Sequence, residues 1–184
     1  IILAGAIMNL ILGFVLLFIT TASSEKIGST TISGFREGAV TNSKLAVGDK
    51  IVGVDGMHVF SVMDINYKLF NNVDSEDENG EKISSYNFTV VRNGEKIKLP
   101  NVVFDKNVYP DFTVGLLDKN FINITKTAFN NTMSTAQLIW ATLVDIITGK
   151  YGIKDLSGPV GVVKAVGESA GRGIQDLLFM AAFI

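Results

Sequence analysis

Few side chains in these 184 residues have the type and spacing that covalent or acid-base chemistry requires. The chain has one histidine, His58, and no cysteine. A zinc site needs three or four His, Cys, Asp or Glu ligands converging on one point. His58 has no Glu-x-x-His companion and reads as a surface or strand-edge histidine. No Ser-His-Asp or Cys-His set is available either, so no nucleophile can be nominated. The one dense charge run is DSEDENGEK at residues 74–82. Aligning Gly80 with the central glycine of a calcium loop puts Ser75 at the first ligand position and Tyr86 where a bidentate Glu is required. The spacing fails, and the run reads as a solvated loop. Asn9 is different, because it is an amide one turn after Gly5 within a wholly apolar stretch. In hydrocarbon such a group needs a partner, and its simplest role is to hold a second helix.

Composition says what must position these groups. The chain is 47% hydrophobic with a mean hydropathy of +0.35, too apolar for an ordinary soluble chain, and the excess is concentrated rather than spread. A net charge of -2 offers no basic field for nucleic acid. Absence of cysteine excludes a disulfide framework without fixing the redox compartment. Residues 1–19, IILAGAIMNLILGFVLLFI, precede the first charge at Glu25. At ~1.5 Å per residue they reach ~28 Å, a bilayer's hydrocarbon thickness, and predict a transmembrane helix. Ala4, Gly5 and Ala6 allow close helix packing. A secretory signal would carry a basic leader and a shorter apolar run. The sequence opens in mid-helix without an initiator Met, and we expect a piece of a longer protein.

Beyond a polar exit at residues 20–24, a strand is expected over 26–33. Residues 34–59 then give a turn, a short amphipathic run at 39–45, a Gly48-Asp49 turn, an alternating strand at 50–54 and a second turn at Asp55-Gly56. Residues 61–72 have Val62, Ile65 and Leu69 at helical spacing, with Ser61 as N-cap and Asp64 at N3. YNFTVV at 86–91 alternates as a strand, RNGE makes a hairpin turn, and residues 96–99 return, closing the unit near Phe104. Val114, Gly115, Leu116 and Leu117 suggest one more short strand. Residues 125–148 carry Phe129, Met133, Ala136, Trp140, Leu143, Val144 and Ile147 on one helical side, ended by Gly149. That stripe reads as core or as a helix seam, with Trp140 also suited to a membrane-water interface. A second span is disfavoured there because Asn130, Asn131, Gln137 and Asp145 would enter lipid.

Two resemblances organise these elements. The run Lys44-Leu45-Ala46-Val47-Gly48-Asp49 followed by Ile51-Val52-Gly53-Val54-Asp55-Gly56 resembles the core of a bacterial PDZ domain. The passage from Asp155 through Ser157-Gly158-Pro159-Val160-Gly161, leading to the apolar residues 177–184, resembles the site-2 protease family where it approaches its third transmembrane helix. Residues 4–9, AGAIMN, are similar to that family's "AGPxxN" segment, with Ala6 where the family has proline. The fold class expected is α+β: a PDZ-like β-sandwich or barrel with two helices over 25–104, preceded by a transmembrane helix at 1–22. A connecting segment at 105–122, an amphipathic helix at 123–150, a loop and short helix at 151–176 and the start of a transmembrane helix at 177–184 follow.

The resemblance implies the recognition and gating part of a membrane-embedded zinc metalloprotease that cuts membrane-spanning substrates. It implies zinc ligands in an HExxH helix before this segment and in an LDG segment after it. Neither motif occurs here, so zinc belongs to the parent protein and none of these residues is expected to hold it. Partners implied are a membrane-spanning substrate or extended peptide and the lipid bilayer. The location implied is a multi-pass protein of the bacterial cell membrane with the PDZ-like domain on the extracytoplasmic side. A PDZ groove would lie between the strand bearing Thr31, Ile32, Ser33, Gly34 and Phe35 and the helix bearing Ile65 and Leu69, and could take a peptide by strand addition. In the family's light Asn9 becomes either packing glue or a residue that orients substrate. The rival reading from another class is a membrane-anchored PDZ module without protease activity, and a PDZ-bearing serine protease would need a catalytic domain where residues 1–19 stand.

Overall fold

Paired residues with left-handed backbone set the course of the chain. Asp55 and Gly56 (φ 44° and 77°), then Asn93 and Gly94 (φ 53° and 86°), are consecutive positive-φ pairs. Such pairs make the two-residue turns whose twist matches that of the flanking strands. The computed structural model describes residues 2–71, 75–76, 82–104, 110–148 and 159–183. It is α+β and divides into Gly28–Leu117 and a second unit made of Ile1–Ile27 with Asp118–Ile184.

In the first unit, strands β1 (Ile27–Phe35), β2 (Lys50–Val54), β3 (Met57–His58), β4 (Ser75–Glu76), β5 (Lys82–Arg92), β6 (Glu95–Phe104) and β7 (Phe112–Leu117) form one sheet. Its order is β4-β5-β2-β1-β7, with β3 added to β2 and β6 to β5. The two hairpins sit where the turn residues demand them, with Val54 opposite Met57 and Arg92 opposite Glu95. Alternation along β5 sends Tyr86, Phe88 and Val90 into the core. There they meet Ile32, Leu45, Ile51, Val54, Val59, Ile65, Leu69, Val102, Phe104 and Phe112. The rings of Tyr86 and Phe88 lie 5.7 and 6.1 Å from that of Phe104.

Helix α2 (Val62–Asn71) begins as its sequence requires. Ser61 Oγ accepts from Met63 N at 3.2 Å, and Asp64 Oδ2 accepts from Phe60 N and Ser61 N at 2.8 and 3.0 Å, a reciprocal capping box. The amphipathic run at 39–45 is only a 3-10 turn, Thr41–Ser43. α2 is therefore the one α-helix among the described residues of this unit, where two helices were expected. A few residues between turns cannot offset the cost of helix nucleation without help from packing. The sheet also runs on past Phe104, because the Phe112 ring packs 6.3 and 6.1 Å from those of Phe88 and Phe104. Of the acidic run 74–82, residues 74 and 77–81 lie outside the described residues. β4 within it pairs with β5.

The second unit is helical: α1 (Ile2–Ser23), α3 (Phe121–Ile147), α4 (Pro159–Arg172) and α5 (Ile174–Phe183). α1 packs against α3 and α5, with the Phe18 and Phe121 rings edge to face at 6.2 Å and Gln175 Nε2 donating to Ser23 O at 2.9 Å. Asn120 caps α3 by accepting from Asn123 N, and Gly173, at φ 126°, separates α4 from α5. The stretch containing Ser157 and Gly158 lies outside the described residues. The large-residue stripe of α3 is not what the structure buries. Trp140 is 70% and Ile147 83% exposed, whereas Ala128, Thr132, Ser134 and Thr135 are buried. Small side chains let helices approach closely, and the threonine hydroxyls satisfy themselves on the preceding turn, Thr132 Oγ1 donating to Ala128 O at 2.9 Å.

Residues 2–19 of the apolar stretch fold as part of α1. Among the described residues no helix is long and apolar enough to cross a membrane.

Candidate functional site

A strand can take an extended peptide only along an edge whose backbone groups are unpaired, so the two edges of β1 decide what it can do. One edge faces β2. Ile32 N donates to Asp49 O and Gly48 N donates to Ile32 O, both at 2.9 Å, with Thr31 opposite Lys50. The other edge faces β7. There Arg36 N donates to Asp111 O at 2.7 Å, Ser33 Oγ donates to Thr113 O at 3.2 Å, and Thr113 Oγ1 donates to Gly34 O at 3.3 Å. The edge read from sequence as the peptide site thus already carries a strand of the same chain.

β7 is fastened at its amino end. The carboxylate of Asp111, fully buried, accepts from Val40 N and Thr41 N at 3.0 Å each and from Thr41 Oγ1. It joins the start of β7 to the 3-10 turn. Phe112 follows it into the core, and Val114 packs partly against the same cluster. Leu116 and Leu117 are exposed, at 62% and 38%.

The sequence-predicted groove residues are brought together, but as core. Ile32, Ile65 and Leu69 are at most 2% exposed, and Tyr86 Oη donates to Leu69 O at 2.9 Å. Only Phe35 is partly buried at the margin of that cluster. Thr31 and Gly34 are half-buried and Ser33 exposed. Asn9 is exposed on α1, in the other unit. The His58 ring lies 4.4 Å from that of Phe60.

Under the Gly48-Asp49 turn sits a two-pronged charge pair. Asp49, fully buried, accepts from Arg92 Nε and Nη2 at 2.7 and 2.8 Å and from Ala46 N at 2.9 Å. Arg92 Nη2 also donates to Lys44 O. The Arg92 hydrogen bonds hold the Asp49 carboxyl below its ordinary value, against the upward push of burial, and Arg92 is raised in turn. Sequence reasoning passed over both Asp111 and this pair. The alternation Phe112, Val114 behind an aspartate was a signal for the first, but its partner Thr41 is 70 residues away.

Among the described residues no group of three His, Cys, Asp or Glu side chains could hold a metal ion. Zinc therefore does not fit on these described residues.

The sequence profile described as peptidase family M50 matches residues 1–184, the whole chain. The chain belongs to peptidase family M50. The site-2 protease resemblance read from AGAIMN and SGPVG is thereby borne out. Family M50 relatives share the chain's full extent at modest identity. "Zinc metalloprotease RasP" of Shouchella clausii is 27% identical over 190 residues, covering 100% of this chain and 43% of the relative. "Zinc metalloprotease RasP" of Bacillus licheniformis is 28% identical over 188 residues, covering 98% and 43%. "Regulator of sigma-W protease RasP" of Bacillus subtilis is 27% identical over 196 residues, covering 98% and 43%. The chain thus spans less than half the length of these M50 relatives.

Proposed function

We propose that this chain is the substrate-recognition and gating portion of a membrane-embedded zinc metalloendopeptidase that cleaves membrane-spanning substrates in regulated intramembrane proteolysis. The observation that carries the reading is the whole-chain match to peptidase family M50, alongside relatives named as zinc metalloproteases. Zinc, held by other residues of the parent protein, would supply an activated water for peptide hydrolysis.

The membrane setting is supported by α1. Its 22 residues, at ~1.5 Å each, extend ~33 Å, and Ile7, Met8, Leu10, Ile11 and Leu12 are all about half exposed or more. Apolar surface in water costs roughly 25 cal/mol per Å², and lipid removes that cost. Asn9 stands on this helix and either fastens a neighbouring helix or orients the substrate chain. Gly28–Leu117 is read as a PDZ-like domain on the extracytoplasmic side that screens what reaches the catalytic site. With Ile32, Ile65 and Leu69 consumed by the core and β7 on the edge of β1, size filtering is favoured over stable capture of a peptide.

Deleting residues 28–117 from the parent enzyme separates the two. A filter predicts that intact membrane proteins, normally spared, are then cut. Should intact substrates stay uncut while trimmed ones are no longer cleaved, capture is the role. Loss of zinc-dependent cleavage from the undeleted parent, by contrast, would remove the protease reading and leave a membrane-anchored binding module.

A further inference from the structure

The period of a helical stripe tells what kind of neighbour it fits. In α3, Ile122, Phe129, Ala136 and Leu143 recur every seven residues, and Lys126, Met133, Trp140 and Ile147 recur every seven between them. Spacings of four and three alternate from 122 to 147, the heptad seam of a helix that packs along one other helix. The helical unit buries a different face of α3, that of Ala128, Thr132 and Thr135. The heptad seam is left exposed: Ile122 by 63%, Phe129 by 54%, Trp140 by 70%, Leu143 by 47% and Ile147 by 83%. We propose that this seam is the docking surface for α3 of a second copy of the chain, the two helices running antiparallel as a coiled coil.

The width of the seam favours a single helix over a bed of lipid. A helix lying in lipid needs a broad apolar face, whereas a strict two-in-seven stripe is the narrower coiled-coil seam. Amides at Asn123, Asn130 and Gln137 line one flank, and only at the carboxyl end do Ile139 and Val144 widen the stripe. The area is also sufficient. With ~200 Å² for a large aromatic, the exposed seam is on the order of 700 Å², close to the ~800 Å² per partner of a stable interface.

Charge and size set the direction. Parallel helices would place Lys126 against its own copy, a like-charge contact, and would stack Trp140 on Trp140 and Ala136 on Ala136. Antiparallel helices instead set Lys126 against Leu143, whose neighbourhood its aliphatic stem can cover, and match Met133 with Ala136. Phe129 then meets Trp140, and Ile122 meets Ile147. Because α3 is not apolar enough to cross a membrane, two copies inserted alike can still lay it antiparallel, about a two-fold axis along the membrane normal.

The chain has no cysteine and one tryptophan, Trp140, so both can report on the seam. Ile122→Cys and Ile147→Cys, carried by separate copies of the full chain with tags of different size, are mixed in detergent and oxidised. The mixture is expected to give at least tenfold more cross-linked dimer than either variant alone. Sedimentation equilibrium should find two copies for the unmodified chain and one for Trp140→Glu, with the helical circular dichroism of the two alike. Cross-linking of Ile147→Cys to itself at the level of the mixture would show parallel helices and overturn the proposal. A single copy at all concentrations overturns it too, as does quenching of Trp140 emission by brominated phospholipid in vesicles, which would make lipid the occupant. Cleavage is not measured, so each of these outcomes leaves the protease reading to its own test.

Discussion

The guanidinium of Arg92 grips both carboxylate oxygens of Asp49, Nε to Oδ1 at 2.7 Å and Nη2 to Oδ2 at 2.8 Å, across 43 residues of sequence. It ties the end of β5 to the turn before β2. Asp49 is fully buried while the Arg92 side chain is 34% exposed, so removing the arginine strands a carboxylate and removing the aspartate leaves a cation that can reach water. Arg92→Ala should therefore cost more than Asp49→Ala, with ~3 kcal/mol expected for the first. Urea unfolding of both variants checks the order.

The same pair makes a prediction in acid. In the unfolded chain Asp49 titrates near an ordinary ~3.9, and in the folded chain it is held lower by Arg92. The contribution to stability is thus fully present above ~3.9 and is lost as pH falls through the folded value. Thermal melts from ~pH 6 downward should show a decline beginning near pH 4 that is smaller in Asp49→Asn. An equal decline in both would assign acid sensitivity to other groups.

Leu69 discriminates between core and groove. It is 2% exposed, so Leu69→Ala should destabilise Gly28–Leu117 by ~2–5 kcal/mol, and Leu69→Asp should prevent folding. An unchanged melting temperature in Leu69→Ala would return the residue to a ligand-lining role.

Hydrogen exchange should follow the uneven fastening of β7. The Ile32 amide, bonded to Asp49 O at 2.9 Å, is expected to exchange slowly. Amides of Leu116 and Leu117 are expected to exchange orders of magnitude faster, and those of Val40 and Thr41 to speed up in Asp111→Asn. Uniform protection along β7 would show a strand locked throughout.

What could be read without the fold is local. Consecutive residues suffice for the Asp55-Gly56 and Asn93-Gly94 turns, for the Ser61-Asp64 cap and for the alternation of Tyr86, Phe88 and Val90, because their physics acts over two to four positions. The family signature in AGAIMN and SGPVG was equally plain. Partner choice across long separations was not. Ile65 and Leu69 have the same helical spacing whether they line a groove or fill a core, and only the strands packed against them decide. The large residues of α3 looked like its seam, yet close approach of helices favours Ala128, Thr132 and Thr135. A free edge on β1 was the natural expectation for a strand that meets β2 on one side. The structure closes it because Asp111, far along the chain, finds the backbone N–H groups of Val40 and Thr41, a long-range pairing that no local pattern encodes.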